Sequence, residues 1–158
     1  MRPWRITIGL GFGFVFSLFL AACLPSTPEP TPTTVPPDSA SLTACAWAEL
    51  EGNPDAAIEC AQQCIDMFED EAVKQQDELA EAPPLGQVSE EQKEAIFSNW
   101  ALNDVGTCYF IVGQALAKLG RVDDAKVAYQ GAERFPYART WAPSGKGSFW
   151  SPAEAATK

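Results

Sequence analysis

The sequence predicts an all-α protein: about four main helices and a short C-terminal one, set behind an apolar leader and a proline-rich stretch. Three observations carry that expectation. From residue 39 onward apolar residues recur at spacings of three and four, no run alternates as a half-buried strand would, and Gly, Pro and Asn gather at a few breaks. Composition divides the chain into an N-terminal signal, residues 1–22; a linker, 23–38; a helical domain, 39–136; and an aromatic tail with a short helix, 137–158, expected to pack on that domain.

Arg2 and Arg5 precede a 15-residue apolar run, Ile6 to Leu20, and small residues lead from it to Cys23. This is the layout of a secretory signal, and the run is shorter than the roughly 20 residues of a membrane span. Leu20-Ala21-Ala22-Cys23 resembles the bacterial lipobox. The resemblance implies cleavage before Cys23, a thioether from its sulfur to diacylglycerol, and acylation of the new amine, typically with palmitate. An ordinary secretory signal cut near Ala22 and an uncleaved anchor are the alternatives. The implied address is the cell envelope, lipid-anchored and extracytoplasmic: an outer membrane where there are two, the outer face of the plasma membrane where there is one. Leu24 is not the aspartate that marks inner-membrane retention in the sorting system this resembles.

Leu24 to Asp38 holds six prolines and four threonines among fifteen residues, with too little apolar surface for a core. A polyproline spacer rises about 3.1 Å per residue, so a tether of this length reaches roughly 45 Å. Cleavage before Cys23 would remove two of the 11 basic residues and none of the 21 acidic ones, leaving a formal charge of −12 over 136 residues. Such a surface repels nucleic acid and anionic headgroups, so membrane affinity falls to the lipid. The chain has no histidine, which removes the commonest general base and metal ligand.

The first helix is expected over Ala40 to Glu51, ended by Gly52-Asn53. The second starts with Asn53 as N-cap and Pro54 at the first helical position and runs to about Ala80, before Pro83-Pro84. The third opens on Ser89-Glu90-Glu91-Gln92, a capping box, and is read as continuous to Leu119. The fourth spans Val122 to about Arg134, and Ser151-Pro152-Ala153-Glu154 reads as the start of the last, short helix.

Tyr109, Val112-Gly113, Leu116, Leu119-Gly120, Ala125, Tyr129, Ala132 and Pro136 resemble the tetratricopeptide repeat, a 34-residue helix-turn-helix. A weaker copy lies upstream: Cys45, Gly52, Ala57 and Cys64 each precede Gly113, Gly120, Ala125 and Ala132 by 68 residues. The resemblance implies antiparallel helical hairpins that bind protein or peptide in a concave groove, lined by the first helix of each repeat. It places Phe110 and Gln114 in that groove and Tyr129 in the core.

Helical spacing puts Asn99, Asn103, Thr107, Phe110, Gln114 and Lys118 on one face, opposite the apolar Ala101, Val105, Cys108, Val112, Ala115 and Leu119. The polar face is the candidate partner-binding stripe, expected to be exposed, because amides both donate to and accept from an extended backbone; an ordinary solvent face with one stray aromatic, Phe110, is the alternative. Four cysteines besides Cys23 suit an oxidising compartment: hairpin register pairs Cys45 with Cys60, and Cys64 then reaches Cys108. Buried free thiols are the alternative. No spacing suits zinc, no motif suits catalysis, and acidic runs such as Glu69-Asp70-Glu71 read as solvated faces. Neither metal nor cofactor is expected. The expected function is a membrane-anchored, non-enzymatic protein-binding adaptor; the rival is cell-wall glycan binding or processing through Trp141, Trp150 and surface acids.

Overall fold

The structure, a computed structural model, describes residues 36–144 and 146–158; Cys23, the signal and most of the linker lie outside the described residues. The described chain is mostly helical: α1 (Ser39–Glu49), α2 (Pro54–Glu78), α3 (Glu90–Ser98), α4 (Trp100–Lys118), α5 (Val122–Glu133) and α6 (Pro152–Ala156). Between α5 and α6 runs an antiparallel hairpin of β1 (Thr140–Ala142) and β2 (Ser148–Trp150), with Trp141 opposite Phe149. Strands were not expected there, and three residues each are too few for alternation to show.

Local chemistry sets most boundaries. The Asn53 side chain accepts from the Ala56 amide with Pro54 at the first turn, and Ser89 and Gln92 close their reciprocal box. Ser151 accepts from the Glu154 amide to start α6. Gly120, at φ +75°, ends α4 in the left-handed region, where the Arg121 amide donates to the Leu116 carbonyl.

The third helix is not continuous. Asn99, at φ −89° and ψ 49°, breaks it into α3 and α4, its Nδ2 donating back to the Ala95 carbonyl. The freed Leu102 amide is then satisfied by Gln75 Oε1 from α2, at 3.0 Å. A buried helix start needs such a partner, and this one comes from 27 residues away.

The core gathers on α4, which packs against α1, α2, α5 and α6. Ala46, Ala57, Ala61, Cys64, Ala101, Val105, Cys108, Ile111 and Ala115 are wholly buried there. Small residues set the α4–α5 spacing reciprocally: a Cβ on Gly113 would enter the Tyr129 ring, and one on Gly131 would enter the Tyr109 ring. α1 and α4 lie side by side with consistent register: Ser39 bonds Asp104, Thr43 meets Cys108, and Lys118 bonds Glu51. Their separations of 65, 65 and 67 residues make the two helices parallel.

Candidate functional site

α1 and α4 lie side by side and parallel, and the chain's own C-terminal segment covers part of the polar face of α4. This corrects the expectation that the polar face of α4 is open. Asn103 is 8% exposed, its Nδ2 donating to the Ile96 carbonyl while its Oδ1 accepts from the Arg139 amide at 2.8 Å. Thr107, 2% exposed, donates to the Asn103 carbonyl and shares a 2.6 Å hydrogen bond with the Thr140 hydroxyl. Phe110, 8% exposed, lies between Trp150, with ring centroids 5.3 Å apart, and Tyr129 at 5.9 Å. Of these groups only the Asn103 side-chain carbonyl oxygen holds the tail's backbone, through the Arg139 amide, while Thr107 meets the tail through the Thr140 side chain.

Asn99 is spent on the α3–α4 break. The other end of the stripe stays open. Gln114 is half-buried and bonds to no other side chain among the described residues, and Lys118 reaches Glu51 Oε2 in the turn after α1 at 2.9 Å. On α1, Trp47 is 37% exposed, and its ring meets Trp150 edge-on at 6.5 Å. Trp47 and Trp150 thus join α1 to the tail, a pairing that sequence spacing did not reveal because they lie 103 positions apart in the chain.

The tail's other aromatic rings are packed. Trp141 contacts Phe149 and Phe97, carries the Lys93 ammonium 4.8 Å from its centroid, and presses on Gly147. Arg139 anchors the segment with its guanidinium donating to the Pro83, Pro136 and Ala138 carbonyls, and burial lowers its pKa. Gly86 pairs with Phe149 through two 2.8 Å backbone bonds, tying the α2–α3 loop to β2. A polar cleft of about 210 Å³ remains beside Trp141, lined by Gln87, Glu90, Lys93 and Lys146.

The cysteines divide. Cys45 and Cys60 form a disulfide between α1 and α2, as their register implied. Cys64 and Cys108 are free, buried thiols, which corrects the second expected pairing. Both contact the Thr43 hydroxyl, Cys108 at 3.3 Å and Cys64 at 3.8 Å, so the hydroxyl satisfies the thiols without a bridge. A hydrogen bond to Cys64, then burial, pushes the Cys108 pKa far up, leaving it a thiol at any physiological pH.

Beside them Asp104 accepts from Ser39 Oγ at 2.5 Å. Burial raises the Asp104 pKa, the Ser39 bond opposes that rise, and the nearby Asp38 charge adds to it. No group of three or more His, Cys, Asp or Glu side chains that could hold a metal occurs among the described residues, nor any helix long and apolar enough to cross a membrane. Comparison with family models, curated proteins and solved structures finds no match to this chain.

Proposed function

We propose that this chain is a lipid-anchored, extracytoplasmic adaptor of the cell envelope, carrying a tetratricopeptide-like helical module that binds protein partners. One observation supports the reading most: α1 and α4 run parallel at separations of 65 to 67 residues, close to the 68 that relates the two repeat-like copies in the sequence. Two hairpins stacked in this way place the first helix of each beside the other and leave a groove between them. Small residues at the matching positions fit the same reading, since Ala57 and Ala125, and Cys64 and Ala132, are all buried. The anchor is Cys23, and the Pro/Thr-rich linker serves as the spacer.

The partner surface is the open end of the groove, around Trp47, Gln114 and Lys118, and not the whole stripe. The test is crosslinking of intact envelopes, followed by purification of the full chain and mass spectrometry. A partner recovered with wild type and lost from a folded Gln114→Lys variant supports the adaptor; the same proteins from both would count against it.

The glycan reading has one feature in its favour, the polar cleft beside Trp141. Sugar rings stack on free aromatic faces, however, and Trp141 already has Lys93 and Gly147 against it. A pulldown on purified cell-wall glycan separates the two: retention abolished by Trp141→Ala would favour glycan.

A further inference from the structure

We propose that a hollow between the α2–α3 loop and α3 takes the aromatic ring of a basic peptide segment. The site is separate from the α1–α4 groove, so the inference goes beyond the adaptor reading and does not depend on it. The hollow, about 190 Å³ and open to solvent, has apolar walls of Leu79, Ala82, Pro83, Pro84 and Ala95 around Ile96, which is 2% exposed. An apolar cavity of about 150 Å³ holds a benzene-sized ring, so this one has room for a single phenyl group and not for a drug-sized ligand, whose pockets begin near roughly 300 Å³. The walls are fixed before anything binds. Arg139, itself 5% exposed, donates from Nε to the Pro83 carbonyl at 2.8 Å, and Gly86 exchanges two 2.8 Å backbone bonds with Phe149. On the other side the capping box holds the start of α3. A loop pinned at two points and carrying consecutive prolines loses little entropy when a ligand arrives.

Charge selects the partner. Glu81 is the one charged residue of the lining, exposed and without a hydrogen bond or ion pair to another described residue. The lining's other polar residues are engaged: Gln92 Oε1 accepts from the Ser89 amide, and Asn99 Nδ2 donates to the Ala95 carbonyl. From Asp77 to Glu94 the chain that frames the hollow holds six acidic residues and one base, Lys93, which pairs with Glu90 and lies over Trp141. An anionic or uncharged ligand gains nothing from that field. A basic segment does, because its lysines or arginines meet Glu81 and the acidic stretch while its ring leaves water for the hollow. The acids are spread along the chain, which suits a peptide with several charges better than a single aromatic amine. Ion pairs alone do not suffice: an exposed pair is worth little, and the ring supplies the affinity that the charge directs.

The test titrates the full chain in phosphatidylcholine nanodiscs with acetyl-Lys-Lys-Phe-Lys-Lys-amide, following the methyl resonances of Ala82, Ala95 and Ile96. The peptide should shift all three saturably, and added salt should weaken it. A control peptide with alanine for the phenylalanine should bind roughly tenfold or more weakly, and one with glutamates for the lysines should not bind. Glu81→Lys, at an exposed side chain, should lower affinity roughly fivefold. Ala95→Phe fills the hollow from its wall and should abolish binding, with an unchanged Gly86 amide resonance reporting the folded loop. Unmoved methyls, equal binding by either control peptide, or equal binding by wild type and both variants would overturn the proposal. Absence of a partner adduct from position 114 would remove the adaptor reading and leave this inference standing.

Discussion

Phe110→Ala tests whether the tail truly seals the groove. Phe110 is 8% exposed and touches two aromatic rings, Trp150 and Tyr129. Truncating a buried Phe costs about 3–5 kcal/mol, partly through transfer and partly through the cavity left behind. Here Trp150 is only half-buried and sits on a segment that can settle into the space, so the low end applies, about 3 kcal/mol. For some 120 ordered residues that lowers Tm by roughly 12 °C. The assay is equilibrium urea unfolding of the disulfide-intact chain by tryptophan fluorescence, with Trp47→Ala as comparison. Trp47 is 37% exposed and loses mainly its edge contact with Trp150, so it should cost only about 1 kcal/mol. A loss below 1 kcal/mol for Phe110→Ala, with an unchanged m-value, would refute the sealed groove and restore Phe110 as an exposed anchor.

Other expectations follow from single contacts. Replacing Cys45 and Cys60 by alanine removes a cross-link across 15 residues and should cost about 3 kcal/mol, read from the same unfolding curves under oxidising conditions. Thiol counting without reductant should find no alkylation at Cys64 or Cys108 in the folded domain and both after unfolding; a bridge between them would leave none in either state. Asp104 carries a raised pKa, so the folded state holds its proton more tightly than the unfolded one. Stability from this group is therefore present below the ordinary carboxylate pKa of 3.8 and lost as pH rises through the folded value. Asp38 has a lowered pKa and works in the opposite direction, so the readout is the difference between wild type and Asp104→Asn: the variant should gain relative stability from pH 4 upward, and a constant difference would contradict the assignment. Cys23→Ser should abolish metabolic labelling with palmitate, and equal labelling would remove the anchor from the account.

Caps and breakers were legible because their chemistry is local. Asn53-Pro54, the Ser89–Gln92 box and Ser151-Pro152 each act within four residues, and the structure starts helices at all three. The Cys45–Cys60 bridge was legible for the same reason, since a short turn fixes hairpin register. The break at Asn99 was not, because residues 90–105 contain no Gly or Pro and the compensating group, Gln75, arrives from α2. Nor was the cover over the stripe. Asn103 and Thr107 have the spacing of a solvent face, but their partners, Arg139 and Thr140, come from 33 to 36 residues further along. Periodicity tells which side chains share a face and leaves open what lies on it.

If partners bind at the open end of the α1–α4 groove, as proposed, photocrosslinking in living cells will capture them there. A photoreactive residue would be placed in turn at position 114, at 110 and at Val127, which is exposed on the outer side of α5. Position 114 should give a discrete partner adduct, position 110 should crosslink within the chain to the tail around Trp150, and position 127 should give neither. A partner adduct from 110 or 127 with none from 114 would contradict the claim.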